Sequence, residues 1–449
     1  MGETAEKAGI AELIDAKKHK ELKEAIASLN RIDVAEELEK LNQEQCIVLF
    51  RSLPKNKAAD IFSYLSPETK EKLIELLTDP ELARIVNDLF LDDAVDFIEE
   101  MPANVVKRVL KNASEETRKQ INQLLQYQED SAGSIMTTEY VDLKEEMTVE
   151  ESFRRIRQVG MDKETIYTCY VTDAKRVLQG VVTVRALLLA RPDDKIGSVM
   201  TPNVISVTTG DDREHVAEIF QKYDLIALPV VDTGRHLVGI ITVDDAMEVL
   251  EEENTEDFHI MAAMEPSDEP YLSTGVFDQA KRRIGWLLIL MVSAFFTGGI
   301  ITRYESLFAA FPALIAVIPM LMDTGGNAGS QSSTLIIRGM AVGELTLSDW
   351  GAIFWKELRV SLLVGVILGF INVLYRWAMT GDFVLGLVVG TSLCATVLFA
   401  KMIGCMLPLL AKKLNLDPAL MAAPIVTTIV DAGGLMVYFG IAEAAMLKS

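Results

Sequence analysis

The last third of the sequence consists largely of apolar segments that are long enough to cross a lipid bilayer, and they limit the fold more than any other feature. Five such segments occur, at residues 284–302, 308–337, 359–378, 383–410 and 418–443. A helix of about 20 residues spans the ~30 Å hydrocarbon core. Because no water satisfies backbone polar groups there, the sequence predicts an all-α membrane domain at residues 281–449, with five transmembrane helices per chain.

The Lys and Arg residues that flank these segments predict the orientation of the chain in the membrane. The larger set comprises Lys281, Arg282, Arg283, Arg338, Lys356, Arg359, Lys412 and Lys413, and the smaller set comprises Arg303, Arg376 and Lys448. The positive-inside rule places the larger set in the cytoplasm. We therefore expect a multi-pass plasma-membrane protein with a cytoplasmic N-terminus and, after an odd number of spans, a C-terminus outside the cell.

The rest of the chain is acidic. The formal net charge is −22 although 50% of the residues are hydrophobic, so an acidic soluble part is joined to an apolar membrane part. An acidic surface repels nucleic acid and attracts cations, although acidity that only aids solubility is the alternative. The sequence has no CxxC, HExxH or phosphate-loop motif. We therefore predict no zinc site, no catalytic residue, no ATP-driven pump and no nucleic-acid partner.

Residues 20–127 are predicted to be helical and loosely repetitive. The segments DVAEELEKL, KAADIFSYL and DDAVDFIEEM share an apolar i, i+3, i+6 pattern and are separated by short turns. Helical hairpins that bury their faces only by stacking form an α-solenoid, and one irregular helical bundle is the alternative. Several Asp residues lie at the predicted helix starts, where the helix dipole alone is a sufficient reason for most of them.

Residues 128–257 contain an internal repeat, with copies at about 131–194 and 197–257. Each copy has the pattern of a short strand, an amphipathic helix, two further strands and a helix. The two α/β copies resemble a tandem pair of CBS modules, which associate into one unit that senses nucleotides or ions. A polar linker follows at about residues 258–280.

Polar residues with oxygen atoms interrupt two of the apolar segments. Asp323, Asn327, Ser330, Gln331 and Thr334 have the spacing of one helical face, and Thr427, Thr428 and Asp431 lie in the last segment. Oxygen ligands suit hard cations such as Mg²⁺, Ca²⁺ or Mn²⁺, so we predict that Asp323, Asn327, Gln331, Thr428 and Asp431 contact a metal ion. Alternatively, such residues only join helices by hydrogen bonds.

Two ionisable side chains, Asp431 and Lys401, lie inside these apolar segments. A charge such as that of Asp431 near the bilayer midplane costs at least ~2.5–3.5 kcal/mol, so it must face protein, water or a cation. Lys401 lies inside the fourth segment. Three roles are open for it: its ammonium extends to the interface, pairs with Asp323 or Asp431, or repels cations near a pore.

The stretches TGGNAGSQSSTLIIRG (Thr324–Gly339) and LDPALMAAPIVTTIVDAGGL (Leu416–Leu435), together with the acidic helical region and the tandem CBS region, resemble the MgtE family of magnesium channels. The resemblance covers nearly the whole chain. It implies a homodimer in membrane lipid, with a pore between the second and fifth spans of both chains. It also implies a Mg²⁺-selective uptake channel that intracellular Mg²⁺ gates.

The resemblance assigns roles to individual residues. Asp431 matches the pore carboxylate and Asn327 a pore amide, whereas Asp323 and Ala423 depart from the residues of some members. The resemblance also implies a connecting helix at about residues 244–262, which with the linker covers residues 244–280. The family's regulatory Mg²⁺ sites bridge the helical domain, the CBS pair and this helix, and they match Asp60, Asp92, Asp96, Glu214, Asp224, Asp245, Glu248, Glu256 and Asp257.

The two CBS modules differ at the residue that would bind the ribose of a nucleotide. The turn from Thr242 to Asp245 retains the Asp that holds a ribose in CBS modules, whereas Ala186 replaces it in the first module. This replacement argues against ATP binding.

The intramembrane carboxylates also suit an ion-coupled secondary transporter of Mg²⁺, Mn²⁺ or Co²⁺. A membrane-anchored CBS sensor without transport is a third alternative.

Overall fold

The computed structural model describes residues 9–55, 57–267, 271–272 and 274–446. Part of the polar linker, and Lys448 of the orientation argument, lie outside the described residues. The chain divides into two compact units, of which the first ends at Val249 and the second begins at Leu250. We describe each unit by itself.

The first unit begins with ten short helices, which cover the predicted helical region. They are α1 (Ile10–Asp15), α2 (His19–Ala27), α3 (Arg31–Glu39), α4 (Gln43–Ser52), α5 (Ala58–Ser63), α6 (Pro67–Leu76), α7 (Asp79–Asp88), α8 (Leu91–Glu100), α9 (Ala103–Asn112) and α10 (Glu115–Leu124). From α3 onwards, most helices pack against the helix two places further along the chain, as α3 does on α5 and α8 on α10.

Helix starts in this region recur with a regular spacing. The N-cap residues Asn42, Ser66, Thr78 and Ser114 are separated by multiples of twelve residues. The side chains of Asn42, Ser66 and Ser114 accept a hydrogen bond from a backbone N–H of the first helical turn. Such caps satisfy donors that a helix cannot pair internally, so the regular spacing of polar caps sets the short, uniform helix length.

Two small sheets follow, one built mainly from each CBS-like copy, and Thr201–Pro202 of the second copy joins the sheet of the first. The first has strand order β1-β2-β3-β4 and the second has order β5-β6-β7. The strands are β1 (Asp142–Leu143), β2 (Thr168–Thr172), β3 (Leu178–Thr183), β4 (Thr201–Pro202), β5 (Val207–Thr208), β6 (Ala227–Val231) and β7 (Leu237–Thr242). The helices among them are α11 (Val149–Val159), α12 (Val184–Leu189), α13 (Ile196–Val199) and α14 (Arg213–Tyr223).

The internal repeat is visible in the detail of these sheets. The β6–β7 hairpin repeats the strand lengths of β2–β3, and both hairpins shift register at the same point, Val171/Thr172 and Val230/Val231. Gly180 and Gly239 occupy equivalent positions on the second strand of each hairpin. A Cβ atom on either would collide with a methionine sulfur and a backbone carbonyl, so each glycine allows another segment of the chain to pair closely beside its strand.

The second unit is entirely helical among its described residues. It contains the C-terminal part of α15 (Val243–Met261), α16 (Val276–Arg303), α17 (Glu305–Ala310), α18 (Ile318–Ala341), α19 (Trp350–Thr380), α20 (Phe383–Lys413) and α21 (Ala423–Met446). Four segments are long and apolar enough to cross a membrane, namely Val276–Arg303, Leu347–Thr380, Phe383–Lys413 and Pro418–Met446. α20 is the most buried of these, whereas α16 is almost entirely exposed.

The predicted second span, residues 308–337, is not one continuous helix. α17 ends at Ala310, a 3₁₀ segment covers Pro312–Val317, and α18 starts at Ile318. Pro312 has no backbone N–H and disfavours helical geometry at Phe311, where the chain is bent. After this bend α18 is a regular helix, and it continues unbroken through Gly325, Gly326 and Gly329.

Candidate functional site: a polar helix face and a buried carboxylate cluster

α18 has two chemically distinct faces. Asp323, Asn327, Gln331 and Thr334 are exposed in the chain and follow one another along one side of the helix, with Ser330 half-buried beside them. The opposite side is buried and carries small residues, among them Gly325, Gly329, Ser332 and Ser333. The predicted polar face is therefore confirmed as a single face, and no other described helix of the same chain covers it.

Small residues hold α18 closely against its neighbours. A Cβ atom on Gly326 would lie 2.9 Å from Thr427 Cγ2 of α21, and one on Gly329 would lie 3.1 Å from the carbonyl oxygen of Ala400 on α20. A Cβ atom on Gly404 would collide with the carbonyl of Gly329. The glycines thus serve close helix packing.

α21 supplies the second group of predicted ligands. Asp431 is half-buried, and no cation is paired with its carboxylate among the described residues. Thr428 Oγ1 donates a hydrogen bond of 2.9 Å to the carbonyl of Pro424, and Thr427 Oγ1 donates to the carbonyls of Ala423 and Pro424. Both hydroxyls therefore satisfy the backbone as donors and keep acceptor capacity on their oxygen atoms.

Lys401 is not paired with Asp323 or Asp431. Its ammonium group lies 3.9 Å from a carboxylate oxygen of Glu357 and donates a hydrogen bond of 3.2 Å to Ser332 Oγ. The alternative in which Lys401 pairs with either aspartate is therefore wrong. Glu357 was not identified from the sequence, because the predicted third span, at residues 359–378, begins two residues after it. The corresponding helix, α19, begins earlier, at Trp350, and includes Glu357.

In the first unit, the structure gathers acidic residues from several parts of the chain into one cluster. Asp92, Asp93 and Asp96 of α8 face Asp245 and Glu248 at the start of α15, together with Glu164. Four of them, Asp92, Asp96, Asp245 and Glu248, were predicted to be metal-binding on the family resemblance. The proximity of the α8 residues to Asp245 and Glu248 follows from the packing of the helical region on the second CBS-like copy, because these two parts of the chain share one core.

Burial changes the protonation of this carboxylate cluster. It raises the pKa of Asp96 to about 8, and the nearby charges of Asp245 and Glu248 add to the effect. Burial also raises the pKa of Asp93 to about 6 and that of Glu164 to about 8. Asp92 is 6% exposed, and its burial, followed by the charge of Asp245, raises its pKa well above the ordinary range. Several like charges therefore share one poorly solvated site.

The donor set of the carboxylate cluster fits a hard divalent cation. All of its ligand atoms are carboxylate oxygens, and Glu164 Oε2 is buried without a hydrogen-bond partner among the described residues. No group of three or more His, Cys, Asp or Glu in the described chain has metal-holding geometry. Mg²⁺ retains several waters and is often held by only one or two carboxylates, so a hydrated Mg²⁺ suits this site better than a closely coordinated metal.

The other predicted regulatory residues lie apart from the cluster or at its edge. Asp60 is paired with Arg31, although its charge still raises the pKa of Asp93. Glu214 and Asp224 are exposed at opposite ends of α14, about 15 Å apart along the helix. One chain therefore does not bring them together. Glu256 and Asp257 lie on the part of α15 that belongs to the second unit.

Sequence reasoning missed Asp93, Glu139 and Glu164. Glu139 accepts a hydrogen bond from the N–H of Leu91 at 3.2 Å, and burial raises its pKa. The charges of Asp245 and Asp244 raise the pKa of Glu164 further, after burial. The available signal was the adjacency of Asp93 to Asp92, whereas nothing in the spacing placed Glu139 or Glu164 beside α8.

The two CBS-like turns differ at the position that would meet a ribose. Thr242 Oγ1 donates a hydrogen bond of 2.7 Å to Asp245, which also accepts from the Thr242 N–H. In the first copy the N–H of Ala186 donates to Thr183 Oγ1, and the carboxylate is missing. The single retained carboxylate, Asp245, belongs to the buried cluster.

Comparisons with known proteins agree on one family. The model described as "Divalent cation transporter" matches residues 318–441, the MgtE intracellular N domain matches 29–130, and CBS domains match 132–193 and 196–252. The chain is 39% identical to the magnesium transporter MgtE of Thermus thermophilus over 94% of each chain. It is 30% identical to that of Bacillus subtilis over 91% of this chain and 92% of the relative.

Solved structures match the first part of the chain. One is the crystal structure of the cytosolic domain of the Mg²⁺ channel MgtE in complex with ATP, with a TM-score of 0.52 and 37% identity, covering 54% of this chain and 99% of that one. Another is the soluble part of a magnesium transporter, with a TM-score of 0.52 and 29% identity, covering 55% and 97%. Relatives with enzyme names match 28% of the chain or less.

Proposed function

Because this chain belongs to the MgtE family of divalent cation transporters, as its motifs predicted, and is therefore not an enzyme, we propose that it carries Mg²⁺ across the plasma membrane as a channel. The observation that supports this most directly is the exposed polar face of α18. A face with a carboxylate and two amides is costly in lipid. It suits water and a hydrated cation.

The ion pathway lies between two copies of the chain. One chain contributes a polar face from α18 and Asp431 from α21, which together cannot enclose an aqueous pore. A second copy related by two-fold symmetry would cover each polar face with its own counterpart. In this arrangement α18 serves as a fifth transmembrane helix, because its 24 residues would extend about 36 Å. The N-terminus lies in the cytoplasm and the C-terminus outside.

The carboxylate cluster of the first unit senses intracellular Mg²⁺. Without a counter-ion, Asp92, Asp96 and Asp245 repel one another at a buried interface, and bound Mg²⁺ reverses the sign of this contribution. Glu214, Asp224, Glu256 and Asp257 contribute further sites between copies. A shift of a two-state gate from 1:99 to 99:1 needs ~5.5 kcal/mol of differential binding, which several weak sites together supply. The stacked helices α3–α10 act as a solenoid that moves with this gate.

ATP binds weakly or not at all to the CBS pair. A relative's cytosolic domain was crystallised with ATP, but here Ala186 provides no carboxylate for a ribose. Asp245, the remaining carboxylate, already accepts hydrogen bonds from Thr242 and faces the acidic residues of α8.

Flux measurements on the purified chain in liposomes test the proposal. An inward Mg²⁺ gradient should raise the signal of an enclosed Mg²⁺ indicator, and raised Mg²⁺ on the cytoplasmic side should suppress this flux. No uptake by the reconstituted chain would contradict Mg²⁺ transport. Reversal potentials recorded with and without a proton or Na⁺ gradient separate the mechanisms, because a channel shows no dependence on a second ion. A shift with either gradient would favour the ion-coupled transporter instead.

A further inference from the structure

A charged group lies behind α18, on the side opposite its exposed polar face. Lys401 of α20 is 5% exposed and Ser332 of α18 is fully buried. Ser332 Oγ donates a hydrogen bond of 2.9 Å to Glu357 Oε2 of α19, and Lys401 Nζ donates one of 3.2 Å to Ser332 Oγ. We call Ser332, Glu357 and Lys401 the polar clamp, since the three residues join three helices.

Stability alone does not explain the polar clamp. Moving two charges out of water is unfavourable, and their attraction roughly offsets this cost, so apolar residues of similar volume would hold the helices as well. A hydrogen-bonded ion pair differs from an apolar contact because it has one preferred geometry. The specific consequence of the polar clamp is therefore the position and rotation of the helices that it joins.

The polar clamp acts on the part of α18 that carries the polar face. Ser332 directly follows Gln331, and the next residue, Ser333, donates a hydrogen bond of 2.6 Å to the carbonyl of Met421, just before α21. One turn earlier, Gly329 packs against Ala400 and Gly404 of α20. A change of one residue in register turns a helix by about 100°. Such a rotation would turn Gln331 and Asn327 away from the exposed side of α18.

We propose that Ser332, Glu357 and Lys401 are positioning residues that fix the rotation of α18 and thereby set the rate and selectivity of cation passage along its polar face. This inference rests on the proposed transport function. It assigns to Lys401 no contact with the transported ion. A neutral pair behind the helix also leaves no uncompensated positive charge near the pathway.

The discriminating variant is Ser332→Ala, which disconnects α18 while leaving both charges in place. We expect Mg²⁺ flux in liposomes to fall, or the ratio of Mg²⁺ to Ca²⁺ flux to change, by about two- to tenfold, the range that one net hydrogen bond supplies. The matched control is Ser361→Ala on α19, because Ser361 is equally buried but bonds only to Leu358 of its own helix. It should behave like the unmodified chain.

Charge variants provide a second measurement. Glu357→Gln and Lys401→Met alone leave an unpaired buried charge and should lower thermal stability, whereas the double variant should recover stability but not normal selectivity. Normal flux and selectivity in both Ser332→Ala and the double variant would overturn the proposal. If the double variant fails to fold, Ser332→Ala decides alone.

A separate readout distinguishes failure of the polar clamp from failure of the transport function. Thr334→Cys, on the exposed face of α18, is introduced into a chain whose four native cysteines are replaced. Its modification rate by a charged thiol reagent should change when Ser332→Ala is added, whatever ion the protein carries. An unchanged rate would overturn the polar clamp, whereas absence of Mg²⁺ flux in the unmodified chain would overturn only the transport function.

Discussion

At the scale of single residues, Asp431 is the side chain on which the proposed ion pathway depends most. It lies on the third turn of α21 beside Val430 and Gly433, which are buried. Lys401, the buried cation of α20, interacts with Glu357 and Ser332 instead. A carboxylate among apolar residues without a cationic partner is costly, and a hydrated Mg²⁺ in the proposed pathway would offset this cost.

We predict that Asp431→Asn lowers Mg²⁺ flux by about tenfold or more, because a hydrogen bond to a charged group contributes ~1.5–3 kcal/mol and the amide cannot supply the charge. Flux into liposomes checks this, with thermal unfolding in detergent as the measure of folding. Glu443→Gln is the matched control, since Glu443 is exposed near the end of the same helix. Equal flux from Asp431→Asn and the unmodified chain would exclude Asp431 from the pathway.

Individual site residues differ in how far the sequence could reveal them. Asp323, Asn327 and Gln331 share a face because helical spacing requires it, so their exposure on one side of α18 was predictable. The partner of Lys401 was not, because Glu357 lies 44 positions away on another helix and the choice among several carboxylates depends on packing. Likewise, Glu164 of the first CBS-like copy lies near Asp245 of the second only because the two copies pack together.

At the scale of helices and strands, the packing of α18 on α20 depends on glycine. The carbonyl of Gly329 occupies the place where a side chain at Gly404 would begin, and that carbonyl belongs to a helix backbone that cannot rotate away. A side chain there must separate the helices, and overpacking of this kind typically costs ~1–3 kcal/mol.

We predict that Gly404→Ala lowers both thermal stability and Mg²⁺ flux, because it displaces α18 from α20. The control is Gly440→Ala on α21, where an added Cβ atom meets nothing within 4 Å. Alanine favours a helix more than glycine by up to ~1 kcal/mol, so the control should be neutral or stabilising. If both variants unfold at the same temperature and show equal Mg²⁺ flux, the close packing of α18 on α20 does not affect stability or transport.

The extent of the helices and strands was partly predictable. Hydropathy located α16, α19, α20 and α21, and the internal repeat located both CBS-like sheets. Hydropathy failed at the second span, because a Pro-induced bend at Phe311 ends one helix while the surrounding residues remain apolar. The regular N-caps of the helical region were present in the sequence as Asn, Ser and Thr, but the apolar pattern alone gave a looser repeat.

At the scale of the whole molecule, the exposed polar face of α18 tests the proposed homodimer. We predict that a chain with Thr334→Cys and no other cysteine forms a disulfide-linked dimer under mild oxidation in membranes, because the proposed two-fold axis would bring equivalent positions of α18 together. Phe370→Cys is the control, since Phe370 is 62% exposed on α19 and apolar enough to face lipid. Equal cross-linking at both positions would indicate collision in the membrane, and a monomer in both cases would contradict the homodimer.

Proton binding and Mg²⁺ binding should compete at the carboxylate cluster of the first unit. The groups that face one another are Asp92, Asp93, Asp96, Glu99, Glu139, Glu164, Asp244, Asp245 and Glu248, with Lys70 as an opposing charge. The pKa values of Asp93, Asp96 and Glu164 rise from 3.8, 3.8 and 4.5 to about 6, 8 and 8. At pH values between the ordinary pKa values of the unfolded chain and the raised pKa values of the folded chain, the folded state binds more protons than the unfolded state. The stability of the folded state therefore falls as pH rises through this range.

We therefore predict that, without Mg²⁺, the segment at residues 126–131 between the helical region and the first CBS-like copy becomes more sensitive to protease as pH rises from about 6 to about 9, and that Mg²⁺ restores protection at a lower concentration at the higher pH. Protons stabilise the carboxylate cluster below this range, and Mg²⁺ replaces them above it because it binds the ionised carboxylates. The measurement is limited proteolysis of the full chain in detergent across a Mg²⁺ series. Asp96→Asn should weaken the pH dependence, whereas Asp88→Asn, at an exposed position on α7, should not. A Mg²⁺ requirement that is the same at both pH values would show that the buried carboxylates do not bind the sensed ion.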